Sequence, residues 1–269
     1  MLTSVVASRA LPVESATTGV NLGVVCPMAN ERDTAEFFVR EVLAACEPFR
    51  FKSLTFFAVL DRVSRDGTLD LLRELESNLP QLRVVWAPEN RCVVDAYLRG
   101  YREALDAGCD WVLEIDAGYS HQPSDIPRFF EKMSEGHDCV FGTRFAQGGR
   151  ISESSLKREV ISRGGTLLTN LLLGTRLTDM TSGFELFSRA ALEEALGRGI
   201  NSRGHFFQTE IKAHCHGLRV AEVPIHYRAA SDSVNNNVLK DAFVNLWRLF
   251  RARSSRTRAV ASLEQDEAA

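Results

Sequence analysis

Short apolar runs that alternate with longer amphipathic ones restrict the fold of this chain more than any other feature. Residues 22–26, 54–60, 82–86, 111–115 and 139–141 are compact and apolar. Between them, residues 34–46, 69–79, 93–105 and 123–133 carry apolar side chains at helical spacing. Strands that are apolar throughout, rather than on alternate residues, are covered on both faces. The pattern therefore predicts an α/β fold: a mostly parallel sheet with helices on both faces. A length of 269 residues suits one such domain with peripheral elements, or at most two small domains.

Open sheets of this kind bind ligands beyond the carboxyl ends of their strands. Asn30 and Glu31 follow the first apolar run and Pro27, Asp61 ends the second, and Asp116 ends the fourth. Their convergence at one edge marks a site centred on the acidic segment 114–118. After Gly148 and Gly149 the alternation changes. Residues 156–173 read as a long, partly basic helix carrying Arg158 and Arg163. A strand over 181–187, helices over 190–196 and 205–216, and a strand over 219–225 follow.

The charge balance excludes some classes of partner. Lys and Arg number 32 against 35 Asp and Glu, a formal charge of -3, without the basic excess of a nucleic-acid binder. No stretch of about 18 apolar residues is present to span a bilayer. Residues 1–20 lack the basic start and apolar centre of a signal peptide and are expected to be disordered. The six cysteines form no C-x-x-C pair and are expected to be buried, reduced thiols of a cytoplasmic protein. His214 and His216 face apart at helical spacing, which argues against a metal site there.

Several segments share an order with a known family. Pro27-Met28-Ala29-Asn30-Glu31 resembles a P-x-x-N-E nucleotide-binding start, and residues 61–68 a D-D-G-S-x-D-G-T turn. Asp116-Ala117-Gly118-Tyr119-Ser120-His121 resembles the D-x-D segment that begins D-A-D-L-x-H. Phe141-Gly142-Thr143-Arg144 resembles a G-S/T-R segment, and Arg158 and Arg163 sit as on a long basic helix. Asp179-Met180-Thr181-Ser182-Gly183-Phe184 resembles D-x-T-S-G-F, and Glu222-Val223-Pro224-Ile225 resembles E-V-P-I. Together these resemble family 2 glycosyltransferases, most closely the dolichol-phosphate (polyprenyl-phosphate) mannosyltransferase group, across about residues 22–228. The resemblance implies a single-domain GT-A nucleotide-sugar-binding fold over 21–230. It implies that Pro27, Asn30, Glu31 and Asp61 contact the nucleotide, with Asp116 facing its diphosphate and a divalent cation, Mg²⁺ or Mn²⁺. It also implies that Arg144, Arg158 and Arg163 hold acceptor or donor phosphates, which suits the planar guanidinium fork.

The chain departs from this pattern at informative places. Gly118 stands where the second D-x-D carboxylate is expected, and Arg62 where the turn has its second Asp. The expectation is a metal held through Asp116 alone, with water and diphosphate oxygens completing its shell. The alternative is that Arg62 partly replaces the metal's charge. Glu185 stands where a basic residue is common, and residues 231–235 lack a Lys that often follows the last strand.

The expected reaction is inverting transfer of a hexosyl group from a nucleoside-diphosphate sugar to a polyprenyl-phosphate-type acceptor. A phosphate acceptor is already ionised at neutral pH and needs no strong base. A carbohydrate hydroxyl acceptor is the first alternative and would need one, with Asp179 the fallback. A non-catalytic nucleotide-sugar-binding relative is the second. The E/Q-x-x-R-W segment of hydroxyl-using relatives is absent, which favours phosphate. Residues 238–253 place Leu239, Phe243, Leu246, Trp247 and Phe250 at helical spacing among basic residues. Within the region 231–253 they predict an amphipathic helix that lies on a membrane surface or packs on the sheet. Residues 254–269 are expected to be a disordered tail, and the protein to be cytoplasmic, or peripheral on the cytoplasmic face of a membrane.

Overall fold

A computed structural model of the chain describes residues 16–153, 156–228 and 240–253. The terminal segments expected to be disordered fall largely outside these residues, as do positions 231–239. The first half alternates as the sequence predicts: β1 (Asn21–Pro27), α1 (Ala35–Cys46), β2 (Ser53–Leu60), α2 (Thr68–Asn78), β3 (Leu82–Trp86), α3 (Val93–Asp106), β4 (Trp111–Glu114), α4 (Ile126–Ser134) and β5 (Cys139–Thr143). The second half adds β6 (Arg150–Ser152), α5 (Leu156–Leu173), β7 (Glu185–Ser188), α6 (Arg189–Gly197), α7 (Phe206–His214), β8 (Val220–Pro224) and β9 (His226–Arg228). A last helix, α8, covers residues 240–253.

Seven strands form one sheet in the order β3-β2-β1-β4-β7-β5-β8. Every pairing is parallel except the two made by β7, which runs antiparallel between β4 and β5. Side chains alternate between faces along each strand. Val24, Cys26, Phe56, Ala58 and Leu113 point to one face, where they pack with Phe38 and Val42 of α1, Leu72 of α2 and Phe129 and Phe130 of α4. Val25, Phe57, Val59 and Val112 point to the other, against Tyr97 and Tyr101 of α3, Leu192 of α6 and Phe207 and Ile211 of α7. Burial on both sides is why the strands contain so few polar residues. Gly100 lets α3 approach β1 closely: a Cβ there would lie 2.3 Å from a Val25 methyl carbon.

The strand expected over 181–187 forms only from Glu185 onward. Asp179 turns the chain ahead of it, accepting from the Thr181 backbone N–H at 3.0 Å and the Thr181 hydroxyl at 3.1 Å. This local bonding competes with a sheet ladder. Apolar pattern also failed to announce the two-stranded parallel pair β6–β9, which is three residues long on each side. That pair matters because it carries Tyr227 to the sheet edge, where Tyr227 bridges to His121.

Candidate active site

The ends of β1 and β4 are neighbours in the sheet, with Val25 registered opposite Glu114. The loops that follow therefore open on the same edge. After β1, Asn30 adopts a positive φ of 59°. Its amide donates to the Val63 carbonyl at 3.2 Å and accepts from the Arg65 N–H at 2.9 Å. Its side chain thus ties the β1 loop to the turn after β2. Asp61 tightens the same turn by accepting from the Val63 N–H at 2.8 Å. Asp66 accepts from the backbone of Arg32 at 2.9 Å and of Thr68 at 3.0 Å, which fixes the start of α2 against Glu31.

Asp116 lies just beyond β4 with its side chain 38% exposed. The Tyr97 hydroxyl donates to its Oδ1. The Asp116 backbone N–H donates to His121 Nδ1 at 3.1 Å, so His121 is neutral with its proton on Nε2. Burial pushes the His121 pKa down to about 4, outweighing the pull of Asp116. Asp116 therefore faces solvent with a neutral ring behind it and one phenol holding its orientation. A solvent-facing carboxylate of this kind suits a hard divalent cation. Among the described residues no three His, Cys, Asp or Glu side chains gather into a metal site. At Gly118 the φ is 68°, and a Cβ there would lie 2.8 Å from Glu31 Oε1.

Behind Asp116 lies a buried polar layer that sequence reasoning missed. Glu114 accepts from the Tyr101 hydroxyl and the Gln208 amide. Glu185 is its direct neighbour across the β4–β7 pairing. Lys212 of α7 sits 3.4 Å from Glu185 and donates to the carbonyls of Asp179 at 3.0 Å and Ser182 at 2.8 Å. Burial, and then Glu185, raise the Glu114 carboxyl far above its usual range. Burial, only partly offset by Lys212, raises Glu185 to about 8. One ammonium against two adjacent buried carboxyls leaves a proton on the pair at neutral pH. The sequence signal was present in Glu185, which stands where a basic residue is common; Lys212 delivers that charge from another helix.

Arg144, at the end of β5, is buried and paired with Asp179. Its Nε donates to Oδ2 at 2.7 Å and its Nη2 to Oδ1 at 2.8 Å, while its backbone N–H reaches Oδ2 at 3.1 Å. Burial alone would raise the Asp179 carboxyl, but the Arg144 charge holds it far below the usual range. A carboxylate gripped at both oxygens is a poor proton acceptor, which weighs against Asp179 as the fallback base. Around Arg144 the other two arginines gather on two aromatic rings. Arg144 lies 5.0 Å from the Phe145 centroid and 5.3 Å from that of Tyr227. Arg163 lies 4.3 Å from Phe145, and Arg158 donates to the Tyr227 hydroxyl at 3.2 Å. Such stacking suits guanidinium and fixes its direction.

A cavity of about 310 Å³ opens beside these arginines. Arg144, Arg158, Thr181, Ser162, Thr169, His205 and Thr209 supply its polar groups, and Ile161, Leu168, Phe206, Phe243 and Leu246 are among its apolar walls. It lies between α5, the start of α7 and α8. Of the residues singled out from sequence, Asp116, Glu31, Asp61 and Pro27 stand at the β1–β4 end of this edge. Arg144, Arg158, Arg163 and Asp179 gather next to them around Phe145 and Tyr227.

Known proteins resemble this chain in sequence and in fold. A sequence model described as Glycosyl transferase family 2 matches residues 23–196. An undecaprenyl-phosphate mannosyltransferase of Micrococcus luteus is 31% identical over 195 residues, covering 71% of this chain and 80% of the relative. A polyprenol monophosphomannose synthase of Mycolicibacterium smegmatis is 29% identical over 245 residues, covering 88% and 90%. Among solved structures, glucosyl-3-phosphoglycerate synthase from Mycobacterium tuberculosis, in complex with Mn²⁺, UDP and glucosyl-3-phosphoglycerate, is similar with a TM-score of 0.58. The match covers 86% of this chain and 78% of that one at 18% identity, and it concerns the fold alone: the GT-A type of α/β architecture.

Proposed function

The chain belongs to glycosyl transferase family 2, and from that premise we propose that it transfers a hexosyl group, with inversion, from a nucleoside-diphosphate sugar to a polyprenyl phosphate. The observation that carries this reading is the cavity lined by Arg144 and Arg158 together with a largely apolar set of side chains. An acceptor that is an anion with a hydrocarbon tail fits both parts; a sugar hydroxyl would leave the apolar walls without a partner. The names of the two curated relatives support a mannosyl donor as the first to test.

Pro27 and Asp61 line the nucleotide end of the edge, and Asn30 acts by holding the Asp61 turn to the β1 loop. Asp116, steered by Tyr97, faces the donor diphosphate. A divalent cation bound at Asp116 would neutralise the charge that grows on the departing diphosphate. Arg158 and Arg163 receive the acceptor phosphate, while Arg144, already paired with Asp179, adds fixed positive charge behind it. An ionised phosphate oxygen then forms the new bond to the anomeric carbon as the old bond to the diphosphate breaks. The bonding pair leaves with the nucleoside diphosphate, and no proton is transferred. Charge placement and orientation carry the catalysis, which agrees with Asp179 being unfit as a base.

The acceptor's tail implies contact with a bilayer surface. Along α5, Leu156, Val160, Leu167 and Leu171 are exposed on one face, and α8 exposes Phe243, Val244 and Trp247. Lys157 and Lys240 lie at the start of these two helices. Apolar faces edged by cations suit peripheral binding to anionic membranes. Among the described residues no helix is long and apolar enough to cross one. Incubation with nucleoside-diphosphate mannose and polyprenyl phosphate tests the reading: label should enter the lipid extract. Binding of nucleotide sugar without product from any donor would instead support the non-catalytic alternative.

A further inference from the structure

The space beside Gly118 is occupied by a carboxylate from another loop. A Cβ built on Gly118 would lie 2.8 Å from Oε1 and 3.1 Å from Oε2 of Glu31. The Glu31 carboxylate thus occupies the space in which a side chain at position 118 would begin. Glycine there is what leaves the space open, and its φ of 68° is one that glycine adopts without strain. We propose that Glu31 supplies the second carboxylate for the divalent cation, in place of the side chain lost at Gly118. This rests on the proposed donor reading, since the cation serves the sugar nucleotide's diphosphate.

The surroundings of Glu31 fit a ligand more than a loop residue. Its backbone N–H donates to the Thr68 hydroxyl at 2.9 Å, and its carbonyl accepts from Ala35 at 2.7 Å at the start of α1. Those bonds fix where the side chain departs. The Thr34 hydroxyl donates to Oε2 at 2.9 Å, which orients the carboxylate and leaves Oε1 toward Gly118. On the facing loop, Asp116 has Oδ1 engaged by Tyr97. Because β1 and β4 are adjacent and parallel, both carboxylates reach the same edge. Carboxylate oxygens from Glu31 and Asp116 are the hard donors that Mg²⁺ or Mn²⁺ would take.

The test is Mn²⁺ titration followed by electron paramagnetic resonance, with Mn²⁺ alone and with GDP or UDP, on the full chain and its variants. Glu31→Gln and Asp116→Asn should each weaken Mn²⁺ binding by about tenfold or more, since affinity follows ligand charge. Thermal melting should show that Glu31→Gln is folded. Gly118→Asp in a Glu31→Ala background should restore Mn²⁺ binding lost by Glu31→Ala. Unaltered Mn²⁺ affinity in Glu31→Gln, or no Mn²⁺ uptake by the unmodified chain in either arm, overturns the proposal. Mn²⁺ uptake that depends on Glu31, with neither nucleotide bound, would uphold Glu31 as a ligand and count against the donor reading alone.

Discussion

Arg144 and Asp179 meet through two parallel hydrogen bonds of 2.7 and 2.8 Å, both side chains almost wholly out of solvent. The pair joins the end of β5 to the loop before β7. It fixes the Arg144 guanidinium in place. Removing one partner strands a buried charge, which costs about 3–5 kcal/mol. Asp179→Asn should lower unfolding stability by that order in urea titration and reduce transfer with it. A variant with unchanged stability would show that the pair does not hold the loop.

Asp179 should leave no mark on the pH–rate profile. Its carboxyl is held so far below the usual range that it stays ionised throughout the working pH range. A base-requiring hydroxyl acceptor would instead give a profile limited by a carboxylate or histidine near neutrality. Measuring kcat/KM from pH 5 to 9 separates these outcomes.

Tyr97 is the only phenol that hydrogen-bonds Asp116 among the described residues. A hydrogen bond to a charged group is worth about 1.5–3 kcal/mol. Tyr97→Phe should therefore lower kcat/KM for the donor by roughly tenfold to a hundredfold. The fold should survive, because the ring packing against Phe207 is kept. An unchanged kcat/KM would mean that Asp116 needs no steering.

His121 should make the fold acid-sensitive. Its folded-state pKa is down at about 4, against about 6.5 when exposed. Between these values the unfolded chain binds the extra proton, so stability falls as pH drops from 6.5 through 4. The loss attributable to His121 is about 3 kcal/mol. His121→Gln, which can still accept from the Asp116 N–H, should flatten the stability–pH curve in that window.

Glu185 should act in the opposite direction. Its carboxyl is raised to about 8 by burial, so the folded chain holds a proton that the unfolded chain has released above about 4.5. Stability from this group is complete in acid and is lost as pH rises through about 8. Glu185→Gln mimics the protonated form and should reduce the loss between pH 5 and 9. A steeper loss in the variant would show that the ionised carboxylate is the form Lys212 stabilises.

The sheet was legible because strands buried on both faces must be apolar throughout, as in β1, β2 and β5, and because the intervening helices repeat every three or four residues. The positions of Asp116 and Glu31 were legible because parallel strands place their exits on one edge. The antiparallel β7 was not fully legible: Asp179 bonds locally to Thr181, which delays the strand without altering the apolar pattern. The polar layer of Glu114, Glu185 and Lys212 was hidden for a related reason. Its members lie far apart in sequence: Glu114 and Glu185 stood out singly, but nothing in the pattern joined them to each other or to Lys212. Tyr227 was missed because the three-residue strand that carries it is too short to show a period.

The central claim is that the acceptor is both a phosphate and a lipid. Its most direct measurement is transfer from one active nucleotide sugar to three acceptors: a polyprenyl phosphate, the matching polyprenol and a short alkyl phosphate. The account predicts lipid-linked hexosyl phosphate of inverted anomeric configuration from the first. It predicts none from the alcohol, which lacks the ionised oxygen, and weak turnover from the short phosphate, which leaves Ile161, Leu168 and Phe243 uncovered. Arg158→Ala and Arg163→Ala should raise KM for the polyprenyl phosphate and leave donor binding unchanged. Equal or faster transfer to the polyprenol, or to a sugar hydroxyl, would contradict it.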